Sequence, residues 1–245
     1  MNSQIARYGA AAVLLFSQTA IVHADIVFDD FDSGSFAHAM GPSGFNNPAT
    51  EFIDIQAGSM LGGHRLVTLE TSDTFGQGSI STISAGKFDD SLLVTTGIGI
   101  GERTNIVWGI SQYGALPTIL TPLNLDLSGA DRVRMHFDFL SNQLNVNIQL
   151  FNGITPYAQL GQNILQSATP FDQDFLFADD LAGHVVDYAH IDLIVIIIQT
   201  PFAGTDFAIG KVSAIRAVPL PPSWPLLCAA LLGLRRRVRR STLNS

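Results

Sequence analysis

The side chains with the most chemical potential in this chain are carboxylates. Asp29, Asp30 and Asp32 fall within four positions near the start of an acidic stretch. Hard cations such as calcium take several oxygen ligands at once, so three close aspartates are a candidate calcium set. The spacing is not that of an EF-hand loop, because no glycine and glutamate follow at the required positions. The expectation is a structural calcium held by Asp29, Asp30 and Asp32 and joined by Asp206, provided the first and last strands lie side by side. The competing reading is a solvated acidic strand end. No other cofactor is expected.

Glycoside hydrolysis needs two carboxylates at a set separation. The glutamates are Glu51, Glu70 and Glu102; spacing along the chain assigns no pair, so no catalytic residue is expected. Thr95–Gly101 (TTGIGIG) resembles a phosphate cradle only superficially, since a cradle opens a helix and here Glu102-Arg103-Thr104 begins a strand. Its glycines are expected in a strand closely approached by its neighbours. Gly109–Gly114 is out of step with a nucleophile elbow and also lacks the helix. His38, His64, His136, His184 and His190 form no recognisable zinc spacing. Trp108 is expected in the core, with Tyr113 on or near the same strand and Tyr157 and Tyr188 on loops or edges.

Charge narrows the partners. All 21 acidic residues lie between Asp25 and Asp206, against seven bases up to Arg216, a net of −14 for the body compared with −8 for the whole chain. Such a body lacks the clustered Lys and Arg that neutralise phosphates, so nucleic acid is excluded as a partner. The single cysteine, Cys228, lies near the end of the chain, so the body contains neither a disulfide nor a cysteine metal site.

The elements that must position these groups are strands. Arg132–Leu140 alternates Val133, Met135, Phe137 and Phe139 with Arg132, Arg134, His136 and Asp138. After Ser141-Asn142-Gln143, Leu144, Val146, Ile148 and Leu150 alternate with Asn145, Asn147 and Gln149. Two half-buried strands across a short polar turn predict a hairpin, its polar face rich in amides. Ile191–Gln199 is nearly all apolar and β-branched, predicting a central strand buried on both faces. Thr205–Ala217 changes phase at Gly210, predicting a bulge. Further strands are expected near 25–31, 51–56, 65–71, 79–84, 92–96 and 105–110, with turn residues between them. Nine or ten short strands in roughly 190 residues predict an all-β fold, a single β-sandwich of jelly-roll type over residues 25–217.

Both ends have their own character. Arg7 precedes an apolar stretch from Tyr8 to Phe16, and Val22-His23-Ala24 places small residues for a leader peptidase. Residues 1–24 therefore read as a signal peptide cleaved before Asp25. Residues 218–245 run from Val218-Pro219-Leu220-Pro221-Pro222 through an apolar segment, Trp224–Leu234, to Arg235, Arg236, Arg237, Arg239 and Arg240. The prolines hold an extended backbone, and Leu226–Leu234 favours a short hydrophobic helix. At about 1.5 Å per residue it covers half of a bilayer core of roughly 30 Å, with the arginines on the cytoplasmic side.

This order of parts resembles the PEP-CTERM sorting tail in its VPLP variant, Leu220 standing where the commoner form has glutamate. The resemblance covers about a tenth of the chain. It implies an exosortase-type sorting enzyme as partner, transient residence in the inner membrane, and cleavage near Pro221 for display on the cell surface or in the extracellular matrix. The body is similar in its order of parts to the galactose-binding-like jelly rolls of carbohydrate-binding modules. Asp29-Asp30-Phe31-Asp32, Leu125–Asp131 (LDLSGAD) and Asp206-Phe207-Ala208-Ile209 carry that similarity. Together the two resemblances imply an exported, non-catalytic protein that binds extracellular polysaccharide. A polysaccharide-active enzyme using one of the glutamates is one alternative. The other is a self-assembling surface protein joined through an exposed edge over Leu144–Phe151.

Overall fold

A computed structural model describes residues 25–40, 50–73, 80–86, 90–112, 119–153, 155, 157–201 and 203–216. Its strands in chain order are β1 (Ile26–Asp29), β2 (Phe36–Met40), β3 (Thr50–Ala57), β4 (His64–Asp73), β5 (Ser81–Ala85), β6 (Leu92–Thr95), β7 (Ile100–Trp108) and β8 (Ile110–Gln112). They continue with β9 (Ile119–Leu120), β10 (Ala130–Leu140), β11 (Leu144–Phe151), β12 (Tyr157–Ile164), β13 (Phe171–Leu176), β14 (Leu193–Gln199) and β15 (Phe207–Arg216). Two single 3₁₀ turns, Leu61–Gly63 and Phe177–Asp179, are the helical elements among the described residues. None is long or apolar enough to cross a membrane. Residues 1–24, expected as a leader, the expected sorting motif Val218–Pro221, the terminal arginines, Cys228, Lys87 and Tyr113 lie outside the described residues.

The strands form two antiparallel sheets packed as a jelly-roll β-sandwich. Sheet I runs β13-β10-β15-β6-β5-β2, with β1 added beside β15; sheet II runs β12-β11-β14-β7-β4-β3. The chain crosses between them repeatedly, and its period-2 patterning turns one face of each strand inward. Phe28, Val133, Met135, Phe137, Ile209 and Val212 from sheet I meet Val67, Leu69, Ile106, Trp108, Ile148, Ile194 and Ile196 from sheet II in one core. Each such side chain contributes about 1.5–3 kcal/mol relative to exposure.

The predicted hairpin over 132–150 does not form. β10 pairs with β13 and β15 in sheet I, while β11 pairs with β12 and β14 in sheet II. Alternation specifies which face is buried and is silent on which neighbour pairs, and Ser141–Gln143 can cross the roughly 10 Å between packed sheets. The arch is pinned by Ser141, whose N–H donates to the Asp206 carbonyl at 2.9 Å while its hydroxyl accepts the Asp206 N–H at 2.7 Å. The polar faces of the two strands consequently point to opposite outsides of the sandwich. β11 is also bonded on both sides, which removes the edge proposed for self-assembly.

β14 is central as expected, but only its inward side is buried; Leu193, Val195 and Ile197 remain partly accessible on the outer face. The phase change at Gly210 is a bulge: the β10–β15 register skips from Lys211 to Ile209 there. A Cβ at Gly210 would lie 3.1 Å from both carboxylate oxygens of Asp138. Gly97–Gly99 form a turn rather than a strand, closed by Ile100 N–H to the Gly97 carbonyl at 3.1 Å, with Gly99 at φ +82°.

Candidate functional site

The outer face of sheet II collects the amides that sequence patterning singled out. Register across the sheet sets Asn163, Asn145, Gln199, Arg103 and Glu70 in one row crossing β12, β11, β14, β7 and β4. The next row is Gly161, Asn147, Ile197, Asn105 and Thr68. At about 4.8 Å between strands, the first row extends for roughly 19 Å. Farther along the strands the face turns apolar. Leu66, Val107 and Ile110 make a second small cluster with Ile55, Leu193 and Val195 against it. Ile110 belongs to the β8–β9 pair, which packs on this end and leaves the amide rows open.

Two clefts open on those rows. One, of about 310 Å³, is bordered by Glu70, Arg103, Asn145, Gln199, Thr200 and Pro201. The other, of about 300 Å³, is bordered by Asn145, Asn147, Gly161, Asn163, Ile197 and Gln199. They share Asn145 and Gln199 and so adjoin, together outlining a shallow trough. Gly161 leaves room at the border of the second: a Cβ there would stand 3.1 Å from Leu181 Cδ1 and 3.7 Å from Asn147 Nδ2.

The polar groups of the trough are mostly uncommitted. Among the described residues, the side chains of Asn145, Asn163 and Gln199 engage no protein partner, and Asn147 Oδ1 is buried without one. Glu70 and Arg103 oppose each other across β4 and β7 without forming an ion pair. Arg103 Nε instead donates to Asn105 Oδ1 at 3.3 Å, and Asn105 Nδ2 donates to Thr68 Oγ1 at 2.7 Å. Each amide carries both donor and acceptor, which suits hydroxyl groups that both give and receive hydrogen bonds.

Beneath this end of the trough lies Glu102, whose importance sequence reasoning missed. It follows Gly101 on β7 and turns inward, 5% exposed. Thr96 Oγ1 lies 2.6 Å from Glu102 Oε2 and 2.5 Å from the Thr205 carbonyl, and Glu102 Oε1 has no hydrogen-bond partner among the described residues. Burial raises its pKa to about 7; the Ser81 and Thr96 hydroxyls beside it oppose the rise, and the negative charge of Asp206 adds to it. Glu70, on the neighbouring strand, points to the opposite face of sheet II, although both residues border the same cleft. Glu51 is in β3, its side chain outside the described residues.

The expected calcium set is not assembled. Asp29 is buried and bonded to Arg65 at 2.8 Å and to Trp108 Nε1 at 3.1 Å. Asp30 accepts the Asp32 N–H at 3.4 Å, and Asp32 accepts the Ser59 hydroxyl at 3.2 Å. β1 does pair with β15, but Asp29 stands opposite Val212. Asp206 lies six residues back along that strand, about 20 Å away at strand rise. It accepts the Thr96 N–H at 2.8 Å instead. No three His, Cys, Asp or Glu side chains among the described residues converge to hold a metal ion.

The other candidates have structural surroundings. Trp108 is wholly buried. His38 stacks on Phe52 with centroids 4.3 Å apart, Tyr188 on Phe177 at 4.6 Å, and Tyr157 meets Phe151 at 5.0 Å and the edge of His184 at 5.8 Å. On the outer face of sheet I, His136 Nδ1 lies 2.7 Å from Asp172 within an ion lattice where Asp174 binds both Arg132 and Arg134. His190 pairs with Asp187 at 2.7 Å in an exposed turn.

No family model matches the chain, and no curated protein matches it. Among solved structures it is similar to the family 11 carbohydrate-binding module of a cellulosomal cellulase of Clostridium thermocellum. That match has 12% identity, covers 80% of this chain and 97% of the module, and has a TM-score of 0.41. The family 11 module in complex with a β-1,3-1,4-mixed-linked tetrasaccharide gives 11%, 80%, 98% and 0.40. A family 61 module in complex with β-1,4-galactotriose gives 9%, 71%, 92% and 0.32. At such values what this chain binds must be argued from its own residues.

Proposed function

We propose that this chain is an exported, non-catalytic surface protein whose β-sandwich binds polysaccharide along the outer face of sheet II. The observation that carries this reading is the row of uncommitted amides, Asn163, Asn145 and Gln199, running into Arg103 and Glu70 along one trough. A polyhydroxylated chain supplies donors and acceptors at short intervals, and its CH faces suit the partly exposed Ile197 between the amides. The body's net charge of −14 disfavours polyanions and favours neutral glycans. Affinity electrophoresis through gels containing neutral or acidic polysaccharides tests this. Retardation in a neutral glycan, lost in an Asn145→Ala/Gln199→Ala double variant that remains folded, is the expected result. Unretarded migration of the unmodified protein in every gel would remove the reading.

Delivery is the second part of the proposal. Val218–Pro221, the apolar segment and the arginines Arg235–Arg237, Arg239 and Arg240 would engage an exosortase-type enzyme in the inner membrane. The mature product would start at Asp25 and end near Pro221. Intact mass and cell fractionation, with and without the chain from Val218 onward, measure this directly. A full-length product retained in the inner membrane would mean that the tail anchors and is not processed.

A further inference from the structure

The oxygen atoms around Glu102 count out a proton. Thr96 Oγ1 stands 2.6 Å from Glu102 Oε2 and 2.5 Å from the Thr205 carbonyl oxygen. A hydroxyl has one hydrogen to donate, and a carbonyl has none. Both contacts are hydrogen bonds only if Glu102 is protonated and donates to Thr96, which then donates to Thr205. With Glu102 ionised, one of the two short contacts would hold facing lone pairs in a buried place, where unmade hydrogen bonds are costly.

This chain of bonds joins the two sheets. Thr96 follows β6 and Thr205 precedes β15, both of sheet I, whereas Glu102 belongs to β7 of sheet II. Glu102 is tied in turn to the end of β14: its N–H donates to Thr200 Oγ1 at 2.8 Å, and its carbonyl accepts the Thr200 N–H at 3.0 Å. Thr200, Gln199 and Arg103 border the glycan trough directly above. Among the described residues the groups facing the carboxyl are the neutral Ser81 and Thr96 from sheet I, Thr71 opposite it on β4, and one titratable group, Asp206. Arg103 and Glu70 lie on the other face of sheet II. Among the described residues no cation is placed to neutralise an ionised Glu102.

We propose that Glu102 is a proton-operated clasp: protonated, it ties sheet I to sheet II and fixes the Arg103–Thr200 rim of the trough; ionised, it releases both. The consequence for ligand retention rests on the glycan-binding reading above, whereas the clasp itself does not.

The chain has three glutamates, so carboxyl-¹³C glutamate labelling gives three signals, and Glu102→Gln, which keeps a donor toward Thr96, identifies one. The expected result is that this signal titrates near 7. Amide exchange at Glu102 and Thr200, corrected for its intrinsic rate, should show opening that rises about tenfold per pH unit below that midpoint and then levels off. In Glu102→Gln the opening should be independent of pH. Titration of all three signals in the ordinary carboxylate range would overturn the clasp, and so would opening that is equally pH-dependent in both proteins. Glycan retention should be weaker at pH 8 than at pH 6 in the unmodified protein and equal at both in Glu102→Gln. A pH-independent retention alongside a midpoint near 7 would overturn the link to the trough. If no glycan is retained at either pH, the binding reading fails, and the NMR and exchange results still decide the clasp.

Discussion

The carboxylate of Asp29 and the guanidinium of Arg65 meet at 2.8 Å, with both side chains fully removed from solvent. The remaining donors and acceptors are nearly all used. Asp29 also accepts Trp108 Nε1–H and the Phe31 N–H, and Arg65 donates to Gln56 and to the carbonyls of Ser33 and Gly34. The guanidinium lies 4.9 Å from the centroid of Phe31, itself buried at φ +58°. The pair fastens β1 and the loop after it to β4 of the other sheet. Removing one partner leaves a buried charge unmatched, so Arg65→Met should cost about 3–5 kcal/mol in denaturant unfolding. Replacing both together, Asp29→Leu with Arg65→Met, should cost well below the sum of the single changes.

Stability should pass through a broad maximum in mildly acidic solution. Hydrogen bonding from Arg134, then from Arg132, lowers the pKa of Asp174, so its contribution is present above the ordinary carboxylate range and lost as pH falls. Glu102 has the opposite sign. Its folded pKa, about 7, is raised, so its contribution is complete below the ordinary glutamate value and lost as pH climbs toward 7. Thermal unfolding from pH 3 to 9 should show both limbs. Asp174→Asn should flatten the acid limb alone, by about 1 kcal/mol or less because the lattice is partly solvated.

Gly109, between β7 and β8, has φ +101°, and a Cβ there would sit 2.5 Å from the Asp192 carbonyl oxygen. Because the obstacle is backbone, it cannot swing aside. Gly109→Ala should destabilise the fold by about 2 kcal/mol or more, from strain and clash together. Gly153→Ala, with φ +65° but open space, should cost less. Comparing their melting temperatures separates the two effects.

Asn152 stitches the end of β11 to a distant turn. Its Nδ2 donates to the carbonyls of Asp187 and His190, and its Oδ1 accepts the Asp187 N–H at 2.8 Å. Asn152→Ala should cost about 1–2 kcal/mol, since the bonds are near the surface. Faster amide exchange should be confined to residues 187–190 and leave β7 and β14 unchanged.

How far these features can be read from the chain depends on their physical origin. Strands with one wet and one dry face announce themselves by alternation, as over 132–140 and 144–150. Strands rich in amides and acids do not: β12 (YAQLGQNI) and β13 (FDQDFL) have such compositions, as suits exposed edges, and neither was foreseen. Alternation also cannot choose between a hairpin and an arch. Asn145 and Asn147 were visible as polar outward positions, but Gln199 fell in a strand expected to be buried on both faces, and the alignment of Asn145 and Gln199 with Asn163 and Arg103 depends on register between strands far apart in sequence. Asp29 looked like a cation ligand because nothing in its neighbourhood reveals that Arg65, 36 residues later, occupies it. The burial of Glu102 gave no signal, since its partners come from residues 96 and 200.

Strand β15 is bordered by β10 on one side and by β6 and β1 in succession on the other. Among the described strands it is also the last to be synthesised. Until Phe207–Arg216 has emerged, sheet I is three pieces with no common neighbour: the β10–β13 pair, the β2-β5-β6 ribbon and an unpaired β1. Long-range pairing of this kind makes folding slow and leaves strand edges open meanwhile. Sheet I is therefore completed only after nearly all of the body has been made, although every strand of sheet II precedes β15 in the chain.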